Sequence, residues 1–305
     1  MSKKLWIYPG FIFLASVLWG LDGVVLRPAL YSLPVTVVVF LEHALAFVIM
    51  IPFLIWERKK LKQISKKEYF YFFLVALFGG TLGGIFITKG LFYVNFANLS
   101  AVLLMQKLQP IFAIFLAWVL LKEKMPKKFF LFAGLALLGA YAIAFPNLIP
   151  NFSTGDKTAI ASLFGLLAAM SWGASTVFSK AGIKTTNFRI ATYIRYGLTT
   201  FIVSIFLLAS NNFSAFSQVN PTQWKYIFII IFSSGAVAML LYYFGLKKTR
   251  ASVSTICELG LPLSAIVFEW LFYHQTLSYV QFIGGALLLF AIIKVSKLRK
   301  TVSNE

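Results

Sequence analysis

The sequence predicts an all-α integral membrane protein, with ten transmembrane helices arranged as two inverted five-helix repeats. Three observations carry that prediction: an apolar composition, ten long apolar runs separated by basic connections, and motifs that recur at offsets of 152 and 153 residues. Of 305 residues 60% are hydrophobic and 12% charged, and the mean hydropathy is +0.84. A soluble domain of that composition would lack the polar residues needed to cover its surface. The 33 Phe residues suit helix faces turned to lipid.

A span needs roughly 17–25 mostly apolar residues. That rule gives runs at 9–29, 34–55, 69–92, 98–120, 128–146, 159–180, 188–210, 224–246, 251–272 and 279–297. They are helices, because backbone amides in lipid must be satisfied within their own segment. The runs are continuous rather than alternating, which excludes a β-barrel. MSKKLWIYPG leads into the first run with no small-residue cleavage site, so the first span is expected to be retained.

The formal charge of +19 comes mostly from short clusters between the runs, which orients a chain in the membrane and argues against a nucleic-acid partner. Lys3 and Lys4 precede span 1, six basic residues from Arg58 to Lys67 separate spans 2 and 3, and Lys122, Lys124, Lys127 and Lys128 separate spans 4 and 5. Lys184 and Arg189 lie between spans 6 and 7. Lys247, Lys248 and Arg250 lie between spans 8 and 9, and Lys297, Arg299 and Lys300 end the chain. With ten spans all of these share one side, and the other side keeps only Lys157 and Lys225. Both termini are therefore expected in the cytoplasm, with the protein in a bacterial-type inner membrane.

LASVLWG at 14–20 matches LAAMSWG at 167–173, and LQPIFAIFLAW at 108–118 matches GLPLSAIVFEW at 260–270. Residues 1–150 form the first repeat and 151–305 the second, joined through the loop chemistry of Pro150, Ser153 and Gly155. Five spans per repeat, an odd number, invert the second copy. Inverted repeats are the plan of alternating-access carriers.

The chain resembles the drug/metabolite transporter superfamily, specifically its ten-helix EamA-type members. The resemblance rests on the paired Trp-Gly of spans 1 and 6, the Pro of spans 4 and 9, LLKEKM at 120–125, and Gly134, Gly139, Gly284 and Gly285. Two departures stand out. The acidic residue after the fourth helix is present as Glu123 but replaced by Gln275 in the second half, and the Arg of the second helix matches Arg195 but stands opposite Glu42. The resemblance implies a carrier with a central cavity, export being the expected direction.

Away from the span edges, eight Asp, Glu, Lys or Arg residues fall within the spans: Asp22, Arg27, Glu42, Lys89, Lys107, Arg195, Glu258 and Glu269. Each costs about 2.5–3.5 kcal/mol at a helix centre and should face a partner, the protein interior or water. Glu42 and Lys107 lie at a common depth, as do Arg195 and Glu258, so pairs Glu42–Lys107 and Arg195–Glu258 are expected. Each pair serves either packing or a substrate. Asp22 and Arg27, at i and i+5, are expected to pair only loosely, which leaves Asp22 as a proton-carrying candidate. Glu269 is expected to reach the interface or Lys89. His43 reads more naturally as packing than as part of a proton path.

Gly20 and Gly23 weaken span 1, and Pro110 and Pro262 break spans 4 and 9. Gly20 and Gly23 permit close approach or a break there. Spans 4 and 9, through Gln106, Gln109 and Pro110 and through Glu258, Gly260 and Pro262, are expected to line the cavity with Trp19 and Trp172, Lys107 being a substrate-binding or gating candidate. The cargo implied is a small polar or amphoteric organic metabolite, with protons or a counter-solute as coupling. The alternative is a flippase for a lipid or lipid-linked molecule, in which membrane lipid is the substrate rather than the solvent. No metal or cofactor is implied. A single Cys257, two distant histidines and no phosphate-binding G-x-x-x-x-G-K-[ST] pattern argue against an enzyme or an ATP-driven pump.

Overall fold

In the computed structural model, residues 7–93, 100–149, 157–274 and 276–298 are described, and among them all regular structure is helical. Ten helices there are long and apolar enough to span a bilayer. They are Ile7–Leu30, Val35–Trp56, Lys66–Gly90, Leu104–Leu121, Lys127–Ala144, Ala159–Gly182, Phe188–Ser210, Pro221–Lys248, Ala251–Tyr273 and Tyr279–Lys297, numbered spans 1 to 10. The basic N-terminus, the departure at Gln275 and most of the 147–158 linker fall outside the described residues.

Local chemistry sets the span ends. Spans 3, 8 and 10 start with reciprocal capping boxes, Ser65 with Glu68, Asn220 with Gln223 and Ser278 with Gln281. In each, a side chain and a backbone amide satisfy one another where the first turn leaves donors orphaned. Spans 4 and 9 both stop on a non-glycine residue in the left-handed region, Lys122 at φ 54° and His274 at φ 53°.

Helical interruptions concentrate at mid-depth. Spans 1, 3 and 8 each contain a π-helical stretch, at Asp22–Leu26, Ala76–Leu82 and Ile231–Gly235. Span 4 breaks between Gln106 and Gln109, and span 9 between Cys257 and Gly260. The Pro110 and Pro262 rings explain these last two, since each removes a donor and clashes with the preceding turn.

Packing runs mainly between the halves. Span 1 lies against spans 8 and 9, span 6 against spans 3 and 4, span 2 against span 7, span 4 against span 9, and span 5 against span 10. Exchanging each span for the one five places along swaps 1–8 with 3–6 and 1–9 with 4–6, and returns 2–7, 4–9 and 5–10 to themselves. The span 5–span 10 contact brings glycine backbone onto backbone from both sides. A Cβ on Gly139 would stand 2.7 Å from the Gly284 carbonyl oxygen, and one on Gly284 would stand 2.7 Å from the Ala142 Cβ. Bulky side chains such as Trp118, Phe232, Trp270 and Phe282 point outward, where lipid solvates them.

Candidate functional site

The five interruptions meet around one cavity of about 330 Å³ at the centre of the bundle. Trp19, Asp22, Glu42, Gln106, Lys107, Trp172, Arg195, Glu258, Pro110 and Pro262 all line it. Gly20 and Gly23 do not. Gly20 gives close approach to span 9, where a Cβ would sit 3.0 Å from the Leu261 carbonyl oxygen, and Gly23 faces open space.

The expected ion pairs are corrected. Arg27, not Lys107, is the partner of Glu42, at 3.3 Å, and Arg27 also meets Asp22 at 2.5 Å. The contact expected to be loose is thus the closest of the set. On an α-helix residues i and i+5 diverge, but in the π turn the Arg27 amide bonds the Asp22 carbonyl, which puts both side chains on one face. Arg195 and Glu258 do not meet either. Span 7 packs on spans 2, 3 and 8, whereas span 9 packs on spans 1, 4, 5, 6 and 10, so equal depth gives no adjacency. Spans 2 and 4 fail to pair for the same reason.

Glu258 instead accepts hydrogen bonds from Gln109 Nε2 at 2.9 Å, Tyr242 Oη at 2.9 Å, Ser254 Oγ at 3.1 Å and Thr176 Oγ1 at 3.3 Å. Four neutral donors solvate this carboxylate in place of water. Arg195 Nη1 donates to Tyr243 Oη at 3.4 Å, and its Nε is buried without a hydrogen-bond partner. Among the described residues Lys107 makes no ion pair or hydrogen bond. Lys89 sits 5.9 Å from the Phe164 ring centroid.

The two indoles are held differently. Trp19 Nε1 donates to the Ser234 carbonyl at 3.0 Å, and its ring lies 5.4 Å from that of Tyr242. Trp172 lies against Gly83, where an added Cβ would come within 2.6 Å of its Cδ1. His43 Nδ1 is 2.9 Å from the Val39 carbonyl oxygen and its ring 5.0 Å from Tyr196, although it also reaches the cavity wall.

One face of the bundle is tied across the halves. It is the face on which even-numbered spans end and odd-numbered spans begin, the one rich in Lys and Arg. Arg189 pairs with Glu57 at 2.6 Å, and the Thr185 and Thr186 hydroxyls donate to Glu68. Glu123 accepts from the amides of Ala251 at 2.8 Å and Ser252 at 3.1 Å. Span 1 starts on this face, so Asp22 and Arg27 lie beyond its middle, and the Arg27 side chain is 34% accessible. Through Arg27 the cavity reaches toward the opposite face.

The model of the EamA-like transporter family matches this chain twice, over residues 6–145 and 159–297. The chain belongs to the EamA-like transporter family. This EamA-like protein is 45% identical to the riboflavin transporter ImpX of Fusobacterium nucleatum subsp. nucleatum, over 93% of this chain and 96% of that one. It is 28% identical to an uncharacterized transporter, sll1164, of Synechocystis sp., over 82% and 72% of the two chains. It is 25% identical to the uncharacterized Bacillus subtilis transporter YoaV, over 90% and 91%. A crystal structure with 15% identity superposes at a TM-score of 0.77 over 96% of both chains, which shows the fold alone. The EamA-like chain is a multi-pass membrane transporter, not an enzyme.

Sequence reasoning missed several groups in this transporter's cavity. Thr176 and Tyr242 carry no charge and so left no signal as ligands of Glu258. One clue was available for Ser175 and Thr176, since the Trp19–Trp172 offset places Ser175 opposite Asp22. Among the described residues no group of three His, Cys, Asp or Glu side chains is placed to hold a metal.

Proposed function

We propose that this transporter is an alternating-access secondary carrier for a planar, hydrogen-bonding heteroaromatic metabolite of the riboflavin class. The observation that carries the proposal is the cavity itself. Two indoles border a space of about 330 Å³ that also presents the amides of Gln106 and Gln109 and the cations Lys107 and Arg195. That volume is at the lower end of the ~300–1,000 Å³ of small-molecule sites. Indole faces suit a fused-ring solute, and the amides and cations suit its carbonyl and ring-nitrogen edge. The 45% identity to a protein named a riboflavin transporter supports the same class.

The twofold family match and the exchange pattern of packed spans support an inverted duplication. In that reading the cross-half contacts on the basic face are the closed gate, and the Arg27 side is the open one. The basic face is the cytoplasmic face by the positive-inside bias. Asp22 and Glu42 share one guanidinium, which removes Asp22 as a lone proton carrier. Glu258, held by neutral donors only, is the group on which proton coupling would act. A charged and amide-rich lining favours a soluble solute over an acyl chain, and so the carrier over the flippase.

Reconstituted proteoliposomes test this with radiolabelled riboflavin. Saturable flux that accelerates when unlabelled riboflavin is present on the far side is expected, and a channel would give no such acceleration. Right-side-out and everted vesicles, with and without an imposed pH gradient, assign direction and coupling, export being the family-based expectation. Absence of flavin flux from protein confirmed in the membrane would discard the substrate class.

A further inference from the structure

The cavity's acids and bases are unevenly served. Arg27 answers two carboxylates, Asp22 at 2.5 Å and Glu42 at 3.3 Å, and Glu258 has its four neutral donors. Each carboxylate thus has a cation or a full set of donors before any solute arrives. The cations do not. Among the described residues, Arg195 donates only to a tyrosine hydroxyl, at 3.4 Å, and Lys107 touches no acceptor. Among the described residues, the charged groups of the cavity without a counter-charge or a full set of partners are these two cations.

Position separates the two cations. Arg195 lies in an unbroken helix, buried, with its guanidinium about 6.0 Å from the Tyr243 ring centroid. Lys107 stands at the break of span 4, where the helix stops at Gln106 and restarts at Gln109. Its ammonium rides on a long stem from unwound backbone into the cavity, only partly buried. The matching break in span 9 holds Glu258, which the protein satisfies by itself. Lysine brings three donors and no acceptor, and a membrane protein that keeps such a group unpaired at mid-depth leaves its partner to come from elsewhere.

We infer that Lys107 is the specificity-determining residue of the cavity, reading an acceptor-rich edge of the solute through its ring carbonyl oxygens and unprotonated ring nitrogens. The inference rests on the flavin-class reading above and adds the contact that selects within it.

The test uses proteoliposomes of wild type, Lys107→Gln, Lys107→Met and Lys107→Arg, with membrane protein quantified in each. In Lys107→Gln and Lys107→Met the KM for riboflavin should rise about tenfold or more while the maximal rate stays within about twofold, as expected for loss of one charge-assisted contact. Lys107→Arg should return KM to within about threefold of wild type. Inhibition by lumiflavin, which keeps the ring and lacks the sugar-alcohol tail, should weaken in the same proportion. In unmodified protein, riboflavin analogues with sulfur replacing a ring carbonyl oxygen should compete less well than riboflavin, a readout that needs no variant to fold. An unchanged KM in the uncharged variants with normal wild-type flux overturns the inference and spares the substrate class. So does lumiflavin inhibition that stays constant while the riboflavin KM rises. Wild type that moves no flavin removes the substrate class and the inference together.

Discussion

At Arg27 one guanidinium serves Asp22 and Glu42, and Asp22 Oδ1 and Glu42 Oε1 have no hydrogen-bond donor of their own. Charge holds this group together more than hydrogen-bond geometry does. Arg27→Gln would strand two carboxylates in a poorly solvated space, at a cost of about 3–5 kcal/mol. A clear fall in the detergent melting temperature is expected, with Arg27→Lys intermediate because it keeps the charge and loses the fork. Gly83 gives a second residue-scale prediction. Gly83→Ala would place a methyl group within 2.6 Å of the Trp172 Cδ1, so the indole must move. A shift in tryptophan emission and a flavin KM raised severalfold are expected, with Gly84→Ala, which meets nothing within 4 Å, as the silent control. The charged lining residues were legible in the sequence because charge inside a span is costly and therefore conspicuous. Their partners were not. Pairing Glu42 with Lys107 assumed regular helices and neighbouring spans, and the π turn of span 1 and the separation of spans 2 and 4 removed both assumptions.

At the scale of elements, Pro110 and Pro262 announced the breaks in spans 4 and 9, because the ring leaves no alternative. The π stretches in spans 3 and 8 had no comparable mark, since their sequences, ALFGGTL and IFSSG, fit an ordinary helix. Span 9 also starts without a side-chain cap of its own, and Glu123, from the end of span 4, accepts its first two amides instead. A carboxylate at a helix N-terminus stabilises by about 1–2 kcal/mol. Glu123→Ala should therefore loosen the start of span 9, and the chain holds its own reporter. Cys257, its single cysteine, is buried on that segment, one residue before Glu258. Maleimide labelling of Cys257 in native membranes should be slow in wild type and at least several times faster in Glu123→Ala. Equal rates would show that the cap does not govern this segment.

For the molecule as a whole, ten spans and their edges could be read to within a few residues from hydropathy and the alternation of basic loops. Helix neighbours could not, because apolar periodicity shows that a face is covered without naming what covers it. The arrangement that emerged ties the basic face across the halves. If that face opens in each cycle, Glu57 and Arg189 must part from their 2.6 Å contact. A Glu57→Cys/Arg189→Cys pair in a Cys257→Ser background, bridged by a short bis-methanethiosulfonate reagent, is expected to lower flux at least tenfold, and a reductant should restore it. Full flux in the cross-linked protein would place the moving gate elsewhere.

Spans 5 and 10 set a different kind of limit. Backbone rests on backbone where Gly139 meets Gly284, and no layer of side chains remains there to slide, compress or change rotamer. Two rods touching at such a point can rock about it far more readily than they can separate. If the carrier works by the alternating access proposed above, the crossing would be its fulcrum, the place that stays still while the two ends of the bundle take turns to widen.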